Sequence, residues 1–318
     1  MKMIDLETKK QYIQIAQMYY EQNMTQSEIA AAVGINRTSI SRILKKLREE
    51  GIVKIIINYA VNDISLAQRL KDRFHLKEAI VVPVQQDDKQ MKLTAIGQAC
   101  AKYLDHITQD NDVIGFSWGS TLAEVVDALD ISSPKHHVFC IPLIGGPSGK
   151  LASRYHVNTI CYAAAQKFNG HSLMIDVPAI VETSSLKKEF LETKYFGEIN
   201  HMWDQVNIAV FGIGSLQIAK SSIWFEFYGN DSVAKFSDEN VAGDVCSHFY
   251  DLNGDEIRTH ITDRTISIPL DKLKRAEYSI GVAESREKVP GIIGALNGHY
   301  VNVLITTKET AEMVLDNA

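Results

Sequence analysis

Residues 25–48, TQSEIAAAVGINRTSISRILKKLR, read as two short helices separated by a glycine. Thr25 and Glu28 stand three apart, the spacing at which an N-cap hydroxyl and a carboxylate satisfy each other's backbone amides. Ile29, Ala30 and Val33 continue an apolar face. Gly34 supplies the positive φ that stops a helix. Asn36 is a good cap for a second helix, in which Ile40, Ile43, Leu44 and Leu47 recur at helical spacing. Upstream, a helix over about 6–22 offers Ile13, Ala16, Tyr19 and Tyr20 to cover the pair. Gly51 closes the second helix, and 52–58 is a β-prone run.

A short helix, a glycine turn and a second helix that opens with polar residues form a helix-turn-helix pattern. Packing Ile40, Ile43, Leu44 and Leu47 inward puts Arg37, Thr38, Ser39, Ser41 and Arg42 on the exposed side. Arginine can fork onto guanine edges, and serine or threonine can bond to bases or phosphates. Lys45, Lys46 and Arg48 suit phosphates, which add affinity but carry no sequence information. Thr25, Gln26 and Asn36, at the two helix starts, complete the expected DNA-contacting set. The plain alternative is a small helical bundle whose basic helix only faces water. Two-fold operators ask for paired recognition helices, so a dimer or larger homo-oligomer is expected.

The net charge of −6 looks wrong for a DNA binder until it is divided along the chain. Residues 1–60 carry nine Lys/Arg against six Asp/Glu, or +3, leaving −9 for the remainder. Residues 36–48 hold Arg37, Arg42, Lys45, Lys46 and Arg48 and no acid. Phosphate attraction is local and screened over about 10 Å, so an acidic total does not exclude duplex DNA as a partner. The opening MKMIDLETKKQ lacks the apolar stretch of a secretory leader, and no apolar run reaches the roughly 18 residues of a membrane span. A cytoplasmic protein with no membrane partner is expected. Cys100, Cys140, Cys161 and Cys246 are scattered singly, which supports neither a metal site nor a disulfide framework, and no cofactor is implied.

Beyond residue 58 the pattern alternates. Strand-like runs at 79–84, 113–117, 138–143, 172–175, 206–211, 279–283 and 300–306 are separated by helical patterns at 91–107, 122–129, 158–168 and 292–296. That is the signature of a mostly parallel sheet wrapped by helices, an α/β doubly wound domain over 58–318 behind an all-α unit over 1–57. Asn253-Gly254 signals a hairpin inside an inserted antiparallel piece.

Candidate ligand residues cluster where strands end. Residues 112–122, DVIGFSWGSTL, run from a strand into a glycine turn and a helix start. Gly119 permits close approach, while Ser120 and Thr121 offer amides and hydroxyls to a phosphate or sugar oxygens. Gly145-Gly146 and Gly212-Ile-Gly214 end other strands. Glycine ends strands in most α/β proteins, so any one turn alone is consistent with a purely structural role. Three that converge on one sheet edge fit a ligand pocket, because open α/β sheets bind at the carboxyl ends of their strands.

The pieces MYYEQNMTQSEIAAAVGINRTSISRILK, DVIGFSWGSTL, PLIGGPSGKLASRYHVNTI, FGIGS, AGDVCSHFYDLNG and IIGALNGHYVNVLIT, in that order, resemble the SorC family of sugar-operon regulators. The resemblance covers nearly the whole chain. It implies a helix-turn-helix followed by a domain similar to glucosamine-6-phosphate deaminase and ribose-5-phosphate isomerase. It also implies a sugar or sugar-phosphate effector and a tetramer assembled as a dimer of dimers. The resemblance, carried here by IGGPSGK and SRYHVNT, implies sorbose or its phosphate, with sorbitol phosphate next. Carried over residue by residue, the phosphate-type loop is Gly119, Ser120 and Thr121. His156 and Asn158 resemble the sugar-facing helix start, and Lys288 falls where the family places a basic effector ligand. Arg154 and Lys150 are further candidates, beside Gly145, Gly146, Gly212 and Gly214. His156 could equally be a satisfied core histidine, and Lys288 a solvated charge. Ala283-Glu284 departs from the two glycines that often follow the strand in related sequences, so the pocket wall there is expected to differ.

The competing reading is a sugar-phosphate isomerase or deaminase fused to a DNA-binding head. Such chemistry needs a positioned base, and Asp176, Glu182 and Asp251 form no recognisable acid/base pair with a nearby histidine. The expectation is therefore a non-enzymatic transcriptional regulator, with no catalytic residues, distinguished from a ligand-free DNA-binding scaffold by the polar strand-end turns.

Overall fold

The computed structural model describes residues 6–53, 62–84, 88–132, 135–149, 151–215 and 240–318. The chain divides into two compact units, Met1–Ile57 and Asn58–Ala318. Lys150 and most of the β-prone run at 52–58 lie outside the described residues.

In the first unit, α1 (Leu6–Tyr20), α2 (Gln26–Val33) and α3 (Arg37–Glu49) pack on one another. Ile15, Ile29, Ile40 and Leu44 form the buried centre, and Met18, Tyr19 and Tyr20 pack around it. Ile15 rather than Ile13 supplies the central α1 contact; Ile13 is an exposed apolar residue. The α2 start is a complete capping box: the Glu28 N–H donates to Thr25 Oγ1 at 3.2 Å, and the Thr25 N–H donates to Glu28 Oε2 at 2.8 Å. Gly34 ends α2 in the left-handed region at φ 73°, where a β-carbon costs strain. Asn36 Oδ1 accepts from the Ser39 N–H at 2.8 Å and caps α3.

The second unit is built on a seven-stranded parallel sheet. Its strands are β1 (Glu78–Val82), β2 (Val113–Phe116), β3 (Phe139–Pro142), β4 (His171–Ser172), β5 (Ile208–Gly212), β9 (Tyr278–Val282) and β10 (Val303–Thr307). Across the sheet they lie in the order β1-β10-β9-β5-β2-β3-β4. Val282, Ile305, Phe116 and Val210 are fully buried, as expected for strands covered on both faces. Helices α4 (Ile64–Phe74), α11 (Val289–Asn297) and α12 (Lys308–Asn317) form one packed group, and α5 (Lys89–Ile107), α6 (Ser120–Asp127) and α7 (Val157–Phe168) another. Right-handed crossovers place these groups on opposite faces: the chain moves rightward through β1, β2, β3 and β4, then returns leftward through β5, β9 and β10. β2 and β5 are neighbours whose outgoing connections leave in opposite directions, which opens a crevice at their carboxyl ends.

Two helices that the alternation does not signal, α8 (Ser184–Leu191) and α9 (Lys194–Asp204), precede β5. Phe196, Ile199 and Trp203 of α9 are buried, and Trp203 Nε1–H donates to the Pro142 carbonyl at 2.7 Å. The inserted antiparallel piece comprises β6 (Gly243–Val245), β7 (His248–Tyr250) and β8 (Glu256–Ile257), followed by α10 (Leu270–Arg275). The β7–β8 turn is organised by Asp251, whose Oδ1 accepts from the Asn253 and Asp255 N–H groups, both at 2.9 Å. It is a longer loop, not a two-residue Asn-Gly turn.

Candidate functional site

On α3, the apolar stripe turns Ile40, Leu44 and Leu47 inward and leaves Arg37, Thr38, Ser41, Arg42, Lys45 and Arg48 exposed. Ser39 is half-buried, because it lies beside the stripe and its amide is held by the Asn36 cap. Asn36 also accepts from Thr38 Oγ1 at 2.7 Å, so Thr25 and Asn36 both have their side-chain oxygens committed to helix starts. Gln26, half-buried, begins α2. Lys45 and Lys46 lie 3.7 and 3.8 Å from Glu49 and Glu50, and Lys46 also stands over the Tyr12 ring at 5.6 Å. Exposed pairs of this kind stabilise by about 0.3–0.5 kcal/mol and yield readily to a phosphate. Arg37, Arg42 and Arg48 have no ion pair among the described residues.

At the second unit's crevice, Gly119 sits at φ 123°, ψ 171° immediately before α6. Only glycine adopts that conformation at low cost. A β-carbon there would meet nothing within 4 Å, so the turn borders open space. Its own N–H donates to the Tyr155 carbonyl at 3.1 Å, which ties the 3-10 turn Ser153–Tyr155 to the start of α6. No side chain caps α6, and the first-turn amides of Ser120, Thr121 and Leu122 project from the positive end of the helix dipole. Ser120 is exposed and Thr121 is buried. Beside them, Ser117 Oγ accepts from the Gly212 N–H at 3.4 Å and joins the ends of β2 and β5.

One strand further, Gly214 follows β5 and donates its N–H to the Asp244 carbonyl at 2.8 Å. A side chain on Gly214 would run into the Asp244 carboxylate. Gly243 and Gly291 close the same junction: a β-carbon on Gly243 would lie 2.6 Å from the Gly291 Cα, and one on Gly291 would lie 2.6 Å from the Gly214 carbonyl oxygen. Backbone contact this tight fixes β6 and the start of α11 against β5. It thereby fixes Asp244, on β6, and Lys288, which caps α11. Ser215 Oγ–H adds a bond to the Glu287 carbonyl at 2.6 Å.

Burial pushes the Asp244 carboxyl up to about 6, against the opposing Ser247 N–H bond and the Lys288 charge. Burial also lowers Lys288, while Glu284 and Asp244 oppose that shift. The Lys288 ammonium forms no hydrogen bond or ion pair among the described residues. A half-buried ammonium facing two carboxylates without touching either is an arrangement a hydroxylated ligand can complete.

The other residues singled out from sequence are placed differently. Gly145 and Gly146 are buried and paired: the Gly145 N–H donates to Ile266 at 2.9 Å, and Gly146 exchanges bonds with Val177 and Ala179 at 2.8 Å each. Asn158 gives its amide to the Ile175 carbonyl at 3.1 Å and accepts from the Ile175 N–H at 3.0 Å, pinning α7 to the chain after β4. Arg154 pairs with Glu124 at 3.0 Å and Asp127 at 2.9 Å on α6. His156 Nδ1 accepts from the Asn158 N–H at 3.2 Å, while its Nε2 edge faces Gly146. Burial holds its imidazole below the ordinary value, with Asp176 opposing. Among the described residues no cluster of His, Cys, Asp and Glu could hold a metal, no helix is long and apolar enough to cross a membrane, and Cys100, Cys140, Cys161 and Cys246 are free and buried.

Residues 4–72 match the Crp-like helix-turn-helix domain, and residues 59–316 match the family described as "Putative sugar-binding domain". The chain is 45% identical to the sorbitol operon regulator of Klebsiella pneumoniae over 95% of this chain and 96% of that one. The chain belongs to the SorC family. The crystal structure of the full-length sorbitol operon regulator SorC from Klebsiella pneumoniae superposes with a TM-score of 0.78 at 43% identity, covering 99% of this chain and 100% of that one. The deoxyribonucleoside regulator of Bacillus subtilis is 29% identical over 99% of this chain and 100% of its own.

A helix-turn-helix joined to a sugar-binding α/β domain makes this SorC-family protein a DNA-binding transcriptional regulator with a sugar-type effector. Asp244 is an ionisable residue at this junction that the sequence does not single out, whereas Glu284 stands out there only as a departure from paired glycines. An isolated Asp after glycine in a three-residue strand carries no periodic signal; only the Gly214–Gly243–Gly291 packing brings it to the crevice.

Proposed function

We propose that the effector is a hexitol or ketose, free or as its phosphate, bound across the carboxyl ends of β2, β5 and β9. The observation that carries this reading is the uncapped start of α6 beside Ser117, with Asp244 and Lys288 on the other side of β5. Ser120 and Thr121 take phosphate or equivalent oxygens; Gly119, Gly212 and Gly214 allow close approach; Asp244 and Lys288 take hydroxyls. His156 lies at the rim, whereas Gly145, Gly146 and Asn158 shape the wall. A sorbitol operon regulator among the relatives favours sorbitol and its phosphate beside sorbose.

Residues 1–57 read the operator through Arg37, Ser41 and Arg42, with Lys45 and Lys46 on phosphates. Residues 58–318 carry the effector and assemble the cytoplasmic protein as a dimer of dimers. Effector binding shifts the balance between two quaternary states by a coupling of about 1–3 kcal/mol, and no substrate is turned over. The test is a thermal-shift panel of ketoses, hexitols and their phosphates, since a ligand that binds only the folded chain stabilises it by RT ln(1 + [L]/Kd). The reading requires at least one sugar that raises the midpoint, changes operator affinity and is recovered unchanged. A panel without effect, or a product formed at catalytic rate, contradicts it.

A further inference from the structure

Glu284 lies two residues beyond the end of β9 and is 6% exposed. Among the described residues its carboxylate makes no hydrogen bond and no ion pair. Burying a carboxylate bare costs several kcal/mol, and such groups are ordinarily hydrogen-bonded or paired. The lysines that act on it are Lys288, Lys92 and Lys89, and Glu287 adds a like charge. Lys92 is committed to Glu309 at 2.8 Å, and Lys89 is exposed. That leaves Lys288, which also feels Asp244.

Lys288 thus acts on both Glu284 and Asp244, and its ammonium touches neither. With Lys92 paired to Glu309 and Lys89 offset by Glu287, two carboxylates and one ammonium remain, and this end of the crevice is net negative. A hydroxyl both donates and accepts, so it can bridge such a set by donating to a carboxylate and accepting from the ammonium. A phosphate or carboxylate at neutral pH mainly accepts, and it is repelled. The start of α6 has the opposite character, offering amide donors at the positive end of a dipole.

We propose that Glu284 is the specificity residue of the effector site, accepting hydrogen bonds from the hydroxyl end of a polyhydroxy ligand and excluding ligands whose second end is anionic. The inference rests on the sugar-effector reading above and narrows it to singly phosphorylated or neutral polyols. Bisphosphates and phosphorylated sugar acids are rejected.

Calorimetry on the full chain at pH 8 tests this with two pairs of probes: fructose 6-phosphate against fructose 1,6-bisphosphate, and sorbitol 6-phosphate against 6-phosphogluconate. The first pair differs by a phosphate, the second by a carboxylate in place of a hydroxymethyl group. At least one pair binds, and its second-anion member is weaker by roughly tenfold or more. Glu284→Gln weakens the preferred monophosphate by roughly tenfold and narrows the discrimination within the pair. Equal binding of the bisphosphate or the sugar acid by the unaltered chain overturns the proposal, and so does a folded Glu284→Gln protein with unchanged affinities and ratios. If that variant fails to melt cooperatively, the unaltered chain's ratios decide alone. If none of these probes, nor sorbitol or sorbose, binds the unaltered chain, the sugar-effector reading falls and this inference falls with it. Binding of a bisphosphate or sugar acid alone leaves that reading intact and overturns only the role of Glu284.

Discussion

Replacing Asp244 with asparagine should make the ligand-free protein more stable while impairing its response to effector. The folded carboxyl is pushed up to about 6 from an ordinary 3.8, chiefly by burial. A rise of about two pH units, at about 1.36 kcal/mol each, sets a ceiling of about 3 kcal/mol. Asp244 is only half-buried, so solvent screening reduces the expected gain to roughly 1–2 kcal/mol. The folded state holds its proton more tightly than the unfolded chain. Stability from this group is therefore fully present below about pH 4 and is lost as pH rises through about 6. The substituted asparagine does not titrate, and its oxygen can keep the bond of 3.1 Å that the Ser247 N–H makes to the native carboxylate. Urea denaturation at half-unit steps from pH 5 to 8 should show the variant ahead at pH 8 and the gap closing toward pH 5. The same variant should show a smaller effector-induced midpoint shift. A variant that is less stable at pH 8, or a gap independent of pH, refutes the assignment of burial as the dominant influence on Asp244.

Gly119→Ala adds a β-carbon that touches nothing, so its cost is torsional, about 1–3 kcal/mol, and effector binding should fall with it. Unchanged denaturation and ligand titration would contradict the turn geometry. Arg154→Ala should leave effector affinity within about threefold, because the guanidinium serves Glu124 and Asp127; a loss of tenfold or more by calorimetry would place Arg154 on the ligand instead. Arg42→Ala should weaken operator binding and, where the arginine reads a base, reduce discrimination between sequences by about 1–3 kcal/mol, measured by competition with mutated duplexes.

Much of the first unit is legible in the sequence because its signals are local. Thr25, Glu28, Gly34 and Asn36 act on backbone within three or four residues, and each performs the expected capping role. Ile13 is misjudged from sequence because Ile13, Ile15 and Ala16 differ only in which face meets α2 and α3, and tertiary packing decides that. The parallel sheet is legible from seven apolar runs, and the glycine turns at 119, 212 and 214 do end neighbouring strands. Gly145, Gly146 and Asn158 look alike as polar or flexible strand-end residues, yet they are committed to backbone partners far along the chain. Asp244 becomes informative only through packing that no local pattern encodes, and Glu284, visible in the sequence as a replacement for glycine, shows its burial only in the fold. The short α8 has no buried residue, so it carries no apolar stripe to read.

The most direct measurement is fluorescence anisotropy of a labelled duplex from the protein's own promoter region, titrated with the full chain at low salt, with and without sorbitol 6-phosphate or sorbose. Sequence-preferring binding that depends on Arg42 is expected, with an effector-induced change in affinity of about 5- to 150-fold. Binding that ignores duplex sequence, or operator affinity unmoved by any sugar that demonstrably binds the chain, would contradict that expectation.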